Sequence, residues 1–124
     1  MRKILFLLAA LCLCSVASAQ TSDILQQADS AYTADNFQEA AAAYQHVINT
    51  EGTSAEILYN LGNCYYRMGE FGKAILSYER ALRLDPTSED ARNNLEFVNS
   101  KIADRPGERG SFLGNALDAL SCSA

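Results

Sequence analysis

Hydrophobic residues in the central part of the chain recur at helical spacing, in two stripes separated by a short polar break. The first stripe contains Leu58, Leu61, Gly62 and Tyr65, and the second contains Phe71, Ala74, Ile75, Tyr78, Ala81 and Leu82. Met68-Gly69-Glu70 lies between them, and glycine readily adopts the left-handed conformation that ends a helix. The pattern predicts two antiparallel amphipathic helices that approach closely at Gly62, because this residue has no side chain.

Polar residues mark where these helices begin and end. Thr53, followed by Glu56, forms a capping-box pattern that predicts the start of the first helix at Thr53. Asp85-Pro86 predicts the end of the second helix. Thr87, followed by Asp90, predicts one more helix in the same way, and this helix carries a single apolar stripe formed by Ala91, Leu95, Val98 and Ile102.

The chain matches itself at an offset of 34 residues. The aligned pairs are Tyr32 with Tyr66, Phe37 with Phe71, Ala40 with Ala74, Tyr44 with Tyr78, Thr53 with Thr87 and Ser54 with Ser88. A fixed period of this length indicates a stacked array of helical hairpins. We predict one unit over residues 20–54, a second over 55–88 and a capping helix over 89–103.

The N-terminus has the features of a secretory signal peptide. Arg2 and Lys3 precede an unbroken apolar run over residues 4–14, and Ala17-Ser18-Ala19 fits a cleavage site. We therefore expect residues 1–19 to be removed near Ala19 and the mature chain to be exported, periplasmic or associated with the cell envelope. A membrane-spanning helix is the first alternative, although the apolar run is short for one. Lipoprotein processing at Cys12 or Cys14 is the second.

The C-terminal part of the chain has a different character. Residues 104–111 are polar, contain two glycines and a proline, and are predicted to form a linker. Residues 112–124 are predicted to form a short amphipathic tail with Phe112, Leu113, Ala116, Leu117 and Leu120 on one face. This segment is too short to span a bilayer, but it could dock or mediate self-association.

Composition limits the chemistry. The formal net charge is -5 over 124 residues, and the loss of Arg2 and Lys3 would make it -7, which argues against nucleic acid and anionic membranes as partners. His46 is the only histidine, and Cys64 and Cys122 are distant cysteines without zinc-site spacing. There is no phosphate-binding glycine loop and no nucleophile-base pattern. We expect no enzyme activity, no cofactor, no metal and no small-molecule substrate.

The second hairpin resembles the tetratricopeptide repeat (TPR) family. The family's signature positions are filled by Leu58, Leu61-Gly62, Tyr65, Ala74, Tyr78, Ala81 and Pro86. The first unit is a looser match, since Gln27 replaces a leucine and Gly52 replaces the proline. The resemblance implies an all-α TPR helix-turn-helix array of two repeats plus a capping helix, following the signal peptide. It also implies that the first helix of each unit lines a concave groove that binds proteins.

Candidate groove residues follow from that implied geometry. Tyr59, Asn63 and Tyr66 are spaced i, i+4, i+7 on a face beside the Leu58 stripe. The full candidate set is Tyr32, Tyr59, Asn60, Asn63, Tyr66, Arg67, Asn94 and Phe97. Amide and guanidinium donors with aromatic rings suit an extended peptide. The alternative is that the tyrosines pack between helices. Asp90 and Asn94 stand where basic residues would be needed to bind a peptide carboxylate, which argues against that mode.

A narrower resemblance covers roughly residues 20 to 105. The segments 58–69, 72–82 and 93–98 are similar to BatE-type proteins of the Bacteroides aerotolerance (Bat) operon, exported TPR proteins thought to act with von Willebrand factor A-domain membrane proteins. Such proteins commonly continue into a membrane helix and a further domain, so this chain resembles a C-terminally short form. We expect an envelope scaffold with a protein or peptide partner. The alternative is a homo-oligomer formed through array ends or the C-terminal helix.

Overall fold

A computed structural model describes residues 1–104 of the chain, with side chains described for residues 1–4 and 20–104. Within this part, five helices follow one another. They are α1 (Arg2–Thr33), α2 (Phe37–Glu51), α3 (Ala55–Arg67), α4 (Phe71–Leu84) and α5 (Glu89–Ala103). The predicted tail at 112–124, and all but the first residue of the predicted linker at 104–111, lie outside the described residues.

Helix α1 is continuous across the predicted cleavage position. Its backbone runs from Arg2 to Thr33, so the first helix of repeat one is its C-terminal part. Among the described residues, none of the helices combines the length and apolarity needed to cross a membrane. Cleavage near Ala19 stays a prediction.

The turns α1–α2 and α3–α4 have the same geometry. The amide of Asn36 donates to the carbonyl of Ala31 at 2.8 Å, and the amide of Glu70 donates to that of Tyr65 at 2.9 Å. Gly69 has φ 77° and Asp35, 34 residues earlier, has φ 61°. Because both turns require a left-handed residue, the second uses glycine and the first uses aspartate, one of the few other residues that tolerates this region.

The N-caps lie one residue later than predicted. Ser54 accepts a hydrogen bond from the Ile57 amide at 3.2 Å, and Ser88 accepts one from the Ala91 amide at 3.4 Å. The predicted helix starts at Thr53 and Thr87 are therefore wrong by one position. At the second site Thr87 is held by the preceding turn, since its amide and hydroxyl both donate to the Asp85 carboxylate, at 3.0 and 2.6 Å.

The core is continuous from the first hairpin to the last helix. One cluster joins α1, α2 and α3, a second joins α4 to α5, and a third joins α3, α4 and α5. Their buried members are Ala28, Ala31, Ala40, Ala41, Tyr44, Leu61 and Cys64; Ala74, Tyr78, Val98 and Ile102; and Leu58, Ala81 and Ala91. Helix α5 covers α4 with one apolar stripe while its other faces stay exposed, as a capping helix does. The predicted all-α helical array is confirmed.

Candidate functional site

A pocket of about 240 Å³ lies between α1 and α3, on the face where the groove residues were predicted. It is lined by Asp29, Tyr32, Thr33, Tyr44, Asn60 and Asn63. Three of these, Tyr32, Asn60 and Asn63, belong to the predicted set. Helical phase explains the convergence, because Tyr32 and Thr33 lie about one turn after Asp29, and Asn63 lies about one turn after Asn60.

Asn63 is the centre of a polar network between α3, α4 and α5. Its Oδ1 accepts hydrogen bonds from the Tyr78 hydroxyl at 2.6 Å and from Nδ2 of Asn94 at 2.9 Å. The same Asn94 nitrogen lies 3.3 Å from the Tyr59 hydroxyl oxygen. Two donors on one oxygen orient the Asn63 amide, and its own N–H groups, which bond to no other described residue, remain for another partner.

Repeat one contains the equivalent bond with a charged acceptor. Asp29 aligns with Asn63 and Tyr44 aligns with Tyr78 at the 34-residue offset, and the Tyr44 hydroxyl donates to Oδ1 of Asp29. Burial raises the pKa of both tyrosines well above the ordinary value, and the Asp29 carboxylate raises that of Tyr44 further. Both phenols therefore stay neutral donors at physiological pH.

Tyr66 and Phe97 form an aromatic cluster at the other end of the face. Their ring centroids are 5.8 Å apart, and Lys101 donates to the Tyr66 hydroxyl at 2.7 Å. The Lys101 ammonium also lies 5.2 Å from the centroid of Tyr66 and 5.0 Å from that of Phe97. Phe97 is 51% exposed, so an apolar ring and a cation face solvent side by side.

Arg67 lies apart from the pocket. Its guanidinium stands 4.4 Å above the ring of Phe37 and 3.4 Å from the Asp35 carboxylate, so it links α3 to the turn of the first hairpin. The Tyr32 ring packs edge-on against the same Phe37, with centroids 5.2 Å apart.

The structure thus divides the eight predicted residues into separate groups. Tyr32, Asn60 and Asn63 line the pocket, while Tyr59 and Asn94 bind one another beside it. Tyr59 and Tyr66 are half-buried against the cluster that contains Tyr78. This is the packing between helices that was the alternative to a role in the groove. Sequence reasoning missed Asp29, Thr33 and Lys101. The 34-residue offset could have identified Asp29, because Asp29 of repeat one aligns with Asn63 of repeat two.

Cys64 lies beneath this face, in the core between α1, α2 and α3. Cys64 is fully buried, and burial raises the pKa of its thiol to about 11, which keeps it protonated. Residues 1–4 and 20–104 contain no group of three His, Cys, Asp or Glu side chains placed to hold a metal ion.

The fold is an all-α array of helical hairpins, and its second hairpin is similar to a tetratricopeptide repeat. The model of the family described as "Tetratricopeptide repeat" matches residues 55–88, which are α3, α4 and the turn that follows. The chain is similar to a "Protein SGT1 homolog" of Oryza sativa subsp. japonica, 28% identical over 76 residues, 61% of this chain and 21% of that protein. It is also similar to a "Protein CTR9 homolog" of Arabidopsis thaliana, 28% identical over 87 residues, 69% of this chain and 8% of that protein. The chain therefore spans about a fifth or less of the length of these relatives.

Tetratricopeptide repeats generally mediate protein–protein interaction, and the family is typically non-catalytic. The match to residues 55–88 shows this similarity for the second hairpin.

Proposed function

We propose that this chain is a non-catalytic, exported scaffold that binds an extended segment of a partner protein in a cell-envelope complex of the Bat aerotolerance type. The pocket between α1 and α3 is the observation that carries peptide binding. The signal-peptide pattern of residues 1–19 supports export, and the segments similar to BatE-type proteins support partners with von Willebrand factor A domains.

The side chains of this face suit a peptide backbone. Asn60 is half-buried, and its amide makes no hydrogen bond to any other described residue. The Asn63 N–H groups are similarly available, because the bonds to Tyr78 and Asn94 use only its oxygen. Amides placed along a groove can bond to the carbonyl and N–H groups of an extended chain. Phe97 adds an exposed apolar ring for a ligand side chain.

Crosslinking in the native envelope followed by affinity purification of C-terminally tagged protein tests the partner. We expect von Willebrand A-domain membrane proteins to be recovered with the wild type and lost with Asn60→Ala or Phe97→Ala. Asn60→Ala removes an amide that makes no hydrogen bond to another described residue, and Phe97→Ala removes a half-exposed ring that contacts Tyr66 and Lys101, so circular dichroism should confirm that both variants are folded. Asn63→Ala is unsuitable, because it would leave the Tyr78 hydroxyl without its acceptor. Glu79→Ala on α4 is the matched control, as an exposed residue outside the pocket.

Recovery of those partners by the two groove variants as efficiently as by the wild type would remove the groove from the proposal. Recovery of other proteins alone would remove the Bat-type assignment. N-terminal sequencing of the same material tests export, because cleavage after Ala19 leaves Gln20 as the first residue. An intact N-terminus would refute cleavage.

Self-association is the second candidate, favoured by exposed apolar residues at the end of the array. Leu84 is 54% exposed and Phe97 is 51% exposed. Burial of large apolar side chains drives association of identical chains. Sedimentation equilibrium should then show an oligomer that Leu84→Ser weakens, whereas a wild-type chain that stays monomeric up to about 100 µM would refute it, since that concentration detects even weak dimers.

A further inference from the structure

We infer that the pocket between α1 and α3 binds a lysine or arginine side chain of the ligand peptide, with the Asp29 carboxylate as its counter-ion. This inference rests on the proposed function and specifies which peptides the groove selects.

Asp29 lines the pocket, and only one of its two carboxylate oxygens accepts a hydrogen bond from the described residues. The Tyr44 hydroxyl donates to Oδ1, and Oδ2 has no hydrogen-bond partner among the described residues. The tyrosine is buried at 2% exposure and holds the carboxylate in place. A fixed carboxylate with a free oxygen binds a cation with less loss of conformational freedom than a mobile one.

The described part of the chain supplies no cation to this carboxylate. Arg67 pairs with Asp35 and Lys101 donates to Tyr66, so neither of these basic side chains neutralises Asp29. The other ion pair of this part joins Lys73 to Glu70, at 2.5 Å in the second hairpin. With a formal net charge of -5, the chain also attracts cationic ligands over longer distances.

The rest of the lining suits a long basic side chain. Tyr32 contributes an aromatic ring, and a cation above such a ring gains an electrostatic attraction to its face. Asn60 contributes an amide oxygen as a second acceptor. The volume, about 240 Å³, is below the ~300 Å³ at which pockets for whole drug-sized molecules begin, and so fits one side chain of a larger ligand.

Repeat two indicates that the charge of Asp29 is not needed for the hairpin to fold. Asn63 accepts the equivalent tyrosine hydroxyl, at 2.6 Å, with a neutral amide. Asp29→Asn therefore retains an acceptor for Tyr44 and removes only the charge. Glu79→Gln is the matched control, since it removes the same charge from an exposed position on α4.

The test uses the full chain and a library of acetylated, amidated octapeptides in which each position in turn is fixed as lysine, arginine, norleucine, glutamine or glutamate. The best basic peptide and its norleucine counterpart are then titrated in solution by fluorescence anisotropy. We expect a preference for lysine or arginine at one position. Asp29→Asn should weaken the basic peptide about two- to fivefold, the upper part of the range for exposed ion pairs, because Asp29 is exposed, and should leave the affinity for the norleucine peptide unchanged. Glu79→Gln should change neither.

Peptide binding without a preference for basic residues would overturn this inference and leave the proposed function standing. Equal weakening by Asp29→Asn and Glu79→Gln would also overturn it, because the effect would then come from overall charge. The absence of binding in every pool, with the chain folded by circular dichroism, would refute peptide binding itself.

Discussion

Replacing Gly62 with alanine should destabilise the protein, although alanine is the better helix former. A Cβ atom at this position would lie 2.6 Å from Cε1 and 2.8 Å from Cδ1 of Tyr78. The tyrosine cannot swing aside, because it is 1% exposed and its hydroxyl is held by Asn63 at 2.6 Å. The contact must therefore be relieved by movement of α3 against α4.

Two opposing terms set the size of the effect. Overpacking a close-packed site costs about 1–3 kcal/mol, and we take the upper half of that range because the ring is held at both ends. The higher helix propensity of alanine returns about 1 kcal/mol. The net loss in the free energy of unfolding is therefore about 1–2 kcal/mol, which lowers the Tm of a domain of this size by about 5–15 °C.

Thermal and urea unfolding followed by circular dichroism measures this loss. The same substitution in a Tyr78→Leu background separates the two terms, because without the ring only the propensity gain remains. There Gly62→Ala should be neutral or stabilising by up to about 1 kcal/mol. A Gly62→Ala protein as stable as the wild type, or more stable, would refute the reasoning.

Four further substitutions or titrations follow from single contacts. Gly69→Ala should cost about 1–2 kcal/mol in urea unfolding, because its φ of 77° strains any side chain although nothing lies within 4 Å of the new Cβ. Ser54→Ala should cost about 0.5–2 kcal/mol in the same assay, since it removes the N-cap of α3. Cys64 should resist a thiol reagent at pH 7 until the chain unfolds. Folding raises the pKa of its thiol from 9.0 to about 11, so the contribution of the buried thiol to stability is complete below pH 9 and is lost as the pH rises through 11. Urea unfolding measured across that pH range would show the loss. An NMR titration should give Asp85 a pKa below 3.8, and Thr87→Val should bring that pKa back towards 3.8, because the hydrogen bond from the Thr87 hydroxyl is the main cause of the shift. The stabilisation from this hydrogen bond is present above pH 3.8 and is lost as the pH falls through the lowered pKa.

Local patterns were sufficient to predict the hairpins. Leu58 and Leu61 lie in the predicted stripe and are buried, and the turn forms at Gly69 as expected. The 34-residue offset places Tyr44 and Tyr78 at equivalent positions, and both make the same type of hydrogen bond. These features depend on helical period and turn chemistry, which neighbouring residues determine.

The contacts of the candidate site were not predictable in the same way. Asn94 reaches Asn63 across 31 residues of sequence, and Lys101 reaches Tyr66 across 35. Such pairs depend on how α5 packs on α3 and on which rotamers the packing allows, and no local pattern encodes either. Lys101 is exposed, and only the packing of α5 brings its ammonium within hydrogen-bonding distance of the Tyr66 hydroxyl.

The two hairpins share one tyrosine hydrogen bond but differ in the charge of its acceptor. Asp29 and Asn63 both accept a hydrogen bond from a buried tyrosine, and the neutral amide is sufficient in repeat two. Hydrogen bonding to the tyrosine therefore does not account for the negative charge in repeat one. Asn63 is also occupied by Asn94 of the capping helix, whereas Asp29 faces the pocket with an oxygen free among the described residues. The charge lies where a ligand would meet it, so Asp29→Asn separates binding from folding more cleanly than truncation of Tyr44 or Asn63, whose side chains form hydrogen bonds between helices.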